Sequence, residues 1–286
     1  WKWNEPGLDA VNGLVSGGYP PLVAMGLASR GIRTPAEARE YLSCDRQLTD
    51  PFRLRDMEKA AARVAKALET KEKICVFGDY DVDGVTATAL MYGYLKSRGA
   101  RVSYIIPDRE KDGYGINMRA IESLKEQGVD LIVTVDNGIA AVDEVRYAKS
   151  LGMKVVVTDH HLPSSELPDA NAVVDPHRPD CGYPHKELSG VGVAFKLAAA
   201  LSGNQEEVLA EYADMVCLGT VADVMLLQGE NRVFVDRGLQ SLRNTRRPGI
   251  AALMKESGCA PESVSASSIG FMLAPRINAA GRMGQI

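Results

Sequence analysis

The sequence predicts an α/β fold, a doubly wound and mostly parallel sheet followed by a largely helical second half. Between residues 57 and 158, short runs that are apolar on both faces alternate with helical patterns, and the strands begin roughly every 27 residues. Ile74-Cys75-Val76-Phe77 is the clearest of these runs. Such runs are typical of parallel strands that helices cover on both faces. After Asp175 the strand patterns fade, and Ala- and Leu-rich helical patterns replace them.

Residues 1 to about 55 are expected to form a small helical segment ahead of the sheet, because Pro and Gly breaks separate short helical patterns there. In the clearest pattern, Thr34 stands at an N-cap position and Pro35 in the first helical turn, where these residue types favour the start of a helix. The rest of the chain is expected to be one domain, 56–286, with strands and acidic motifs in 73–175 and a helical part in 186–286.

The elements of this domain follow from the spacing of its apolar residues. Ala61, Val64 and Leu68 recur at helical spacing, so a helix precedes the first strand. The elements predicted in the first half are helix 57–70, strand 74–77, helix 85–98, strand 102–106, helix 117–127, strand 130–135, helix 139–150 and strand 154–158. The helices predicted in the second half are 191–201, 206–220, 234–243, 248–257 and 265–273.

The composition is that of an ordinary globular protein. The chain has 286 residues, 45% of them hydrophobic, and a formal net charge of −4, which excludes a surface that is basic all over. Its five cysteines include no Cys-x-x-Cys pair, which favours reduced thiols in a cytoplasmic protein over a zinc knuckle or a disulfide framework. No stretch approaches the ~18 consecutive apolar residues that span a bilayer, and no leader peptide opens the chain. The start at Trp1 and the stop at Ile286 suggest a fragment of a longer protein.

Motifs rich in carboxylates or histidine end four apolar runs of the chain. They are Asp79-Tyr80-Asp81-Val82-Asp83, Val135-Asp136-Asn137-Gly138, Asp159-His160-His161 and Val221-Ala222-Asp223. In an open parallel sheet, ligands bind outside the carboxyl ends of the strands, so these motifs are expected to converge on one crevice. Six Asp and two His side chains gathered there would repel and desolvate one another unless divalent cations lay among them.

A centre with two metal ions is the interpretation that best fits these residue types. Carboxylates mixed with imidazole, and no thiol, favour Mn²⁺ or Mg²⁺ over Zn²⁺. An EF-hand begins with the same Asp-x-Asp-x-Asp-Gly pattern, but Leu90 stands where its bidentate Glu belongs, and a strand precedes the motif. Helix capping could account for one Asp in each loop, but not for three in five residues. Taken alone, Asp136 would be explained as part of a turn, because Asp-Asn-Gly is typical of turns. Since it lies between the two stronger motifs, it is a candidate bridging ligand.

The adjacent histidines give the most specific signal. Consecutive residues at a strand end point in different directions, so one imidazole could bind a metal ion while the other faces a substrate phosphate. A lone histidine is more often a structural residue of the core. Here His160 and His161 are two of only four histidines in the chain, and they stand together at the end of a predicted strand.

With these motifs the chain resembles the DHH phosphoesterase family, named for Asp159-His160-His161, and within it the single-strand-specific 5′→3′ exonucleases. Further motifs carry this resemblance over nearly the whole chain: Leu48-Thr49-Asp50-Pro51-Phe52, Asp112-Gly113-Tyr114-Gly115, Asp175-Pro176-His177-Arg178, Gly190-Val191-Gly192-Val193-Ala194-Phe195-Lys196, Gly219-Thr220-Val221-Ala222-Asp223-Val224 and Ala274-Pro275-Arg276-Ile277-Asn278-Ala279-Ala280-Gly281-Arg282. Leu226 departs from the family, which tends to have Pro there. The DHH-associated and OB-fold domains that follow in such proteins are expected to be missing from this chain.

The resemblance implies a role for each residue of the metal motifs. The implied ligands are Asp81 and Asp136 for one ion, Asp83, Asp136, His160 and Asp223 for the other, and Asp79 as a further ligand or a partner of the ligands. His161 would contact the scissile phosphate, and Asp159 would orient an adjacent imidazole. Asp136, Asp159 and His161 are therefore the expected catalytic residues. Two ions about 3.5–4 Å apart can activate a water and neutralise the leaving oxygen, so no protein nucleophile is required.

A second group of residues is expected to bind the substrate. By resemblance, these are Arg109, Tyr114, Arg276, Asn278 and Arg282. The polar members would contact DNA phosphates, and the tyrosine could stack on a base. The alternative is that the charges are solvated and that the tyrosine only packs its loop.

The resemblance thus implies a metal-dependent exonuclease that hydrolyses single-stranded DNA from the 5′ end in DNA repair and recombination. A phosphodiesterase of the same family, acting on short oligoribonucleotides or cyclic dinucleotides, is the nearest alternative. A non-catalytic replication or repair scaffold is an alternative from another class. The expected partners are single-stranded DNA, a single-strand-binding protein and a helicase, with no membrane, for a cytoplasmic monomer.

Overall fold

The computed structural model describes residues 7–43, 47–108, 113 and 115–282. The chain divides into two compact units, Trp1–Gln47 and Leu48–Ile286. The sequence pattern predicts this boundary somewhat later, near residue 55. Within the described ranges, no helix is both long and apolar enough to cross a membrane.

The described part of the first unit contains three helices, α1 (Leu8–Ser16), α2 (Pro21–Ala28) and α3 (Pro35–Ser43). Its small core consists of Leu14, Ala24, Leu27, Ile32 and Ala38. A capping box begins α3, because Glu37 N donates to Thr34 Oγ1 at 3.2 Å and Thr34 N donates to Glu37 Oε2 at 3.1 Å. Thr34 is therefore the N-cap that the sequence predicts.

The described part of the second unit is built on a five-stranded sheet. Its strands are β1 (Lys73–Phe77), β2 (Arg101–Ile105), β3 (Leu131–Val135), β4 (Lys154–Thr158) and β5 (Ala172–Val174). Its longer helices are α4 (Met57–Glu69), α5 (Val82–Ser97), α6 (Met118–Glu126), α7 (Val142–Ser150), α8 (Gly190–Ser202), α9 (Gln205–Ala222), α10 (Gly229–Arg243) and α11 (Pro248–Ser257). The strand order is β2-β1-β3-β4-β5, and every neighbouring pair is parallel.

Helices cover both faces of this sheet. In β1, Ile74 and Val76 belong to one core cluster, whereas Cys75 and Phe77 belong to the other, as the alternation of side chains along a strand requires. The first cluster is completed by side chains of α4, α5, α8 and α9, and the second by side chains of α6 and α7. The predicted doubly wound parallel sheet with a largely helical second half is therefore confirmed.

Two elements differ from the sequence prediction. Strand β5 was not predicted, because a run of three residues is too short to show a period, and only its pairing with β4 defines it. The helix predicted at 265–273 is instead a short α12 (Ala266–Ser268), a π-helical turn (Ile269–Leu273) and α13 (Ala274–Arg282). Pro275 has no N–H to donate to a carbonyl one turn earlier, which accounts for the irregular ladder at this point.

Candidate metal centre

The predicted acidic motifs meet at the carboxyl edge of the sheet. Strands β1, β3 and β4 lie side by side and end at the same level, with Val135 opposite Thr158. The backbone pairing continues past the strand ends, since Asp136 N donates to Thr158 O at 3.1 Å and Asp159 N donates to Val174 O at 3.0 Å. The first residues after β3 and β4 are therefore fixed in place by the sheet itself.

The side chains of these motifs form three groups of potential metal ligands. Within each group the ligand atoms lie within 4.8 Å of one another. The groups are Asp79, Asp81 and Asp136; Asp83, His160 and Asp223; and Asp136, His160 and His161. The structure thus brings together all six sequence-predicted ligands, and it places Asp136 and His160 where the groups overlap.

Backbone amides at the amino end of α8 bind the side chain of Asp83. Its Oδ2 accepts a hydrogen bond from Gly190 N at 2.6 Å, and its Oδ1 accepts one from Val191 N at 2.9 Å. The positive end of the helix dipole favours a carboxylate there. Burial nevertheless raises the pKa of Asp83 to about 8, with the nearby charge of Asp223 acting in the same direction.

The surroundings of the other carboxyl groups in the centre also disfavour their negatively charged forms. Burial raises the pKa of Asp136 well above its usual range, and the charge of Asp83 adds to this effect. Burial likewise raises the pKa values of Asp79 and Asp223 to about 6. In the described part of the chain, Asp79 Oδ1 is buried and accepts no hydrogen bond. A divalent cation would satisfy this oxygen and return the carboxylates to their charged forms.

His160 is positioned to act as a neutral ligand. Its Nε2 lies 3.1 Å from Asp136 Oδ1, and its ring forms a backbone hydrogen bond with Leu188. Burial, together with the charge of His161, lowers the pKa of His160 to about 4. A neutral imidazole that uses one nitrogen for a backbone bond presents a lone pair on the other, as metal-binding histidines do. The donor set therefore fits Mn²⁺ or Mg²⁺, whose preferred ligands include carboxylate oxygens.

Asp159 and His161 form an ion pair beside this cluster. His161 Nδ1 lies 2.7 Å from Asp159 Oδ1, and this hydrogen bond raises the pKa of His161 to about 9. Burial alone would raise the pKa of Asp159, but the hydrogen bond and the charge of His161 outweigh burial and hold that pKa below its usual range. Backbone amides fix the carboxylate, since Ile139 N donates to it at 2.9 Å and His160 N at 2.7 Å. The pair is arranged to keep His161 as an imidazolium.

A small cavity adjoins His161. Its volume is about 270 Å³, and Ile116, Ile139, Glu144 and Leu162 are among the residues that line it. The side chain of His161 is 46% exposed, whereas His160 is nearly buried. The exposed imidazolium therefore faces space that a substrate group could occupy, and the buried imidazole faces the carboxylates.

The sequence prediction assigned no role to two residues behind His160. His177 Nδ1 lies 2.6 Å from the carbonyl oxygen of His160, and His177 N donates to Asp175 Oδ1 at 2.6 Å. Asp175 is buried directly after β5, and burial raises its pKa to about 7. The two residues brace the backbone of His160. Asp175-Pro176-His177 contributes to the family resemblance, but its supporting role depends on β5, which is too short to be predicted from periodicity.

The predicted substrate-binding residues are only partly described. Arg109 and Tyr114 lie outside the described residues. Arg276 and Arg282 are exposed on α13, and Arg276 Nη1 donates to the carbonyl of Met272 in the preceding turn. Asn278 Oδ1 accepts a hydrogen bond from Val82 N at 3.2 Å. Asn278 therefore ties α13 to the first residue of α5, between Asp81 and Asp83, which places this part of α13 beside the metal cluster.

Comparison with known proteins identifies the class to which this fold and site belong. The family model described as "DHH family, N-terminal domain" matches residues 73–220, more than half of the chain, and the chain belongs to this family. The single-stranded-DNA-specific exonuclease RecJ of Bacillus subtilis is 47% identical over 287 residues, covering 100% of this chain and 36% of its own length. RecJ of Escherichia coli is 40% identical over 278 residues, covering 92% of this chain and 48% of its own length.

Solved structures agree with this comparison. The crystal structure of RecJ in complex with Mn²⁺ from Thermus thermophilus matches with a TM-score of 0.81 and 34% sequence identity, covering 99% of this chain and 40% of that one. The chain thus spans between about a third and about half of the length of these relatives.

Proposed function

We propose that this chain is the catalytic core of a metal-dependent exonuclease that hydrolyses single-stranded DNA from the 5′ end. The observation that carries the proposal is the presence of two adjacent ligand groups. One contains Asp79, Asp81 and Asp136, and the other contains Asp83, His160 and Asp223, with His160 Nε2 3.1 Å from Asp136 Oδ1. Bound Mn²⁺ or Mg²⁺ ions at these groups would supply the charge stabilisation and the water activation that phosphodiester hydrolysis needs.

The side chains beside the ligands have distinct tasks in this proposal. Asp159 holds the proton of His161 at Nδ1, and His161 Nε2–H would then donate to a phosphate oxygen of the substrate. Its positive charge offsets the charge of the phosphodiester, and its pKa of about 9 keeps that charge in place at neutral pH. His160 remains neutral and faces the carboxylates. The two adjacent imidazoles thus have opposite protonation states and different roles.

The substrate class is supported by the relatives. Several curated relatives bear the name single-stranded-DNA-specific exonuclease, and they include proteins that match this chain over nearly its whole length. The 5′ polarity, the roles in DNA repair and recombination, and a cytoplasmic location belong to the proposal. Its partners would be single-stranded DNA, a single-strand-binding protein and a helicase, and the protein would act as a monomer.

A substrate panel tests this proposal. The chain is incubated with Mn²⁺ and one substrate at a time. The four substrates are 5′-labelled single-stranded DNA, duplex DNA, RNA and a cyclic dinucleotide. We expect mononucleotides to be released first from the 5′ end of the single strand, with slow or no cleavage of duplex. The matched control is the same panel with EDTA, which should abolish cleavage.

The panel also separates the alternatives. Preferred cleavage of the RNA or of the cyclic dinucleotide would replace the proposal by a phosphodiesterase of the same family. Loss of all cleavage together with tight Mn²⁺-independent DNA binding would favour a scaffold. Gradual shortening of the 5′-labelled strand with the label retained, instead of early release of a labelled mononucleotide, would contradict the proposed polarity.

A further inference from the structure

Two glycines on different helices lie directly against carboxylates of the metal centre. A Cβ atom on Gly190, the first residue of α8, would lie 2.3 Å from Asp136 Oδ1 and 2.5 Å from Asp136 Cγ. A Cβ atom on Gly219 in α9 would lie 2.5 Å from both Asp83 Oδ1 and Thr86 Oγ1. Real Cβ atoms do not approach other heavy atoms so closely, so even a methyl group at either position must displace a neighbour.

Backbone conformation does not explain these glycines. Neither Gly190 nor Gly219 has a positive φ, so an alanine could adopt the same backbone without strain. Within a helix, alanine is also the more favourable residue. At Gly190 a side chain is therefore excluded by the contact with the Asp136 side chain, and at Gly219 by contacts with Asp83 Oδ1, Thr86 Oγ1 and Val191 Cγ1, the last at 2.7 Å.

The carboxylates have little freedom to retreat from such a methyl group. Asp136 has a left-handed backbone with φ 62°, and its N–H is bound to Thr158 O at 3.1 Å. Asp83 is tied to the first two amides of α8 by hydrogen bonds of 2.6 and 2.9 Å. A shift of α8 that made room at Gly190 would stretch these two bonds. Gly190 therefore couples the positions of Asp136 and Asp83.

We infer that Gly190 and Gly219 are positioning residues of the centre, which let α8 and α9 approach closely enough to set the separation of the Asp136 and Asp83 carboxylates. This inference rests on the proposed metal-dependent function. Gly190 acts on Asp136, which belongs to the group with Asp79 and Asp81 and lies 3.1 Å from His160 Nε2 of the other group, so a methyl group there disturbs both ions. Gly219 acts on Asp83 and disturbs the ion on that side.

Three alanine variants and Mn²⁺ test the inference. Gly192 is the matched control, since it lies in the same turn of α8 and a Cβ there meets nothing closer than 3.6 Å. Calorimetric titration gives the number and affinity of bound ions, and electron paramagnetic resonance reports whether two Mn²⁺ ions are magnetically coupled. We expect Gly190→Ala to lose the coupled signal and bind Mn²⁺ about tenfold or more weakly. Gly219→Ala should weaken one ion only, and Gly192→Ala should match the unaltered chain.

A double-variant cycle covers the case in which Gly190→Ala folds poorly. Asp136→Gly removes the side chain that the new methyl group would strike, and glycine tolerates the left-handed backbone there. Stability is measured by urea unfolding in EDTA, so that no metal contributes. Gly190→Ala should destabilise the unaltered chain and have little effect in the Asp136→Gly background.

The outcomes separate this inference from the proposed function. If the unaltered chain shows no coupled pair of Mn²⁺ ions, the proposed function fails. If it does, and Gly190→Ala keeps both the signal and the affinity, the positioning role is overturned. An equal loss in Gly192→Ala, or an equal loss of stability on Gly190→Ala with and without the Asp136 side chain, overturns it as well.

Discussion

At the scale of single residues, Asp136 combines a left-handed backbone, near-complete burial and a place in two groups of ligand atoms. A non-glycine residue with positive φ is uncommon, and such strain persists only where the surrounding structure enforces it. Here the extension of the β3–β4 pairing enforces it, because Asp136 N bonds to Thr158 O. The sheet thus aims this one carboxylate at both ligand groups.

We expect Asp136→Ala to abolish cleavage more completely than Asp79→Ala. Asp136 belongs to two groups of ligand atoms, whereas Asp79 belongs to one. Titration with Mn²⁺ should show both ions lost in the first variant and at most one weakened in the second. Asp169→Ala is the control, because that carboxylate is 85% exposed. Two bound ions and normal cleavage in Asp136→Ala would show that the carboxylate is not shared.

His160 and His161 should lose their protons at widely different pH values. In protein stripped of metal, NMR should show His161 losing its proton near pH 9 and His160 staying neutral down to about pH 4. The pKa of His161 is raised mainly by its hydrogen bond to Asp159, so Asp159→Asn should move it back towards about 6.5. If the two imidazoles titrate together, or if Asp159→Asn leaves His161 unchanged, the ion pair does not set the pKa of His161.

The sequence predicts the candidate ligands but not the contacts that support them. Asp79, Asp136 and Asp159 could be predicted because each follows an apolar run, and parallel strands deliver such residues to one edge. The bracing of His160 by His177 could not, since it depends on β5, which is too short to recognise by period. The hydrogen bond between Asn278 and Val82 joins positions distant in sequence, and nothing in the local pattern of either indicates it.

At the scale of secondary-structure elements, a buried ion pair connects α8 to α10. Lys196 Nζ lies 2.6 Å from Glu230 Oε1, and neither side chain is exposed. Glu230 also accepts hydrogen bonds from Thr49 N at 2.7 Å and from the Tyr183 hydroxyl at 2.6 Å. Because the Gly190 and Val191 amides of α8 donate hydrogen bonds to Asp83, this ion pair fixes the helix that positions a candidate metal ligand.

Lys196→Met should destabilise the protein by about 3–5 kcal/mol, since it leaves the carboxylate of Glu230 buried without its cation. Replacing both residues, in Lys196→Met with Glu230→Leu, should cost less than the sum of the single changes, because no buried charge remains. Urea unfolding measures all three free energies. Lys255→Met, at an exposed position of α11, is the control, with an effect within about 0.5 kcal/mol. Additive effects of the two single changes would contradict the pairing.

At the scale of the whole molecule, the centre makes stability depend on pH. Asp83, Asp136 and His161 bind their protons more tightly in the folded protein, since their pKa values are raised. A group with a raised pKa favours folding at low pH, and this contribution is lost as the pH rises through the folded pKa. His160 acts in the opposite direction, but only between about pH 4 and its ordinary pKa of about 6.5.

The melting temperature in EDTA should therefore fall between about pH 6.5 and pH 8.5, where His160 no longer contributes. Mn²⁺ should oppose this fall, because metal binding displaces protons and strengthens as the pH rises. Differential scanning calorimetry at both pH values, with and without Mn²⁺, measures the four melting temperatures. A melting temperature in EDTA that is constant or rises over this window would show that the carboxylates of the centre are not held against ionisation.

The ligands of the centre span the chain from Asp79, after β1, to Asp223, at the end of α9. The ligand groups combine residues from distant parts of the sequence, so they come together only after long-range contacts have formed, which is a slow step in folding. A chain still emerging from the ribosome cannot complete the centre before α9 has been made. Metal binding by the centre should therefore appear late and together with the tertiary fold, so a partly synthesised chain would hold no complete centre.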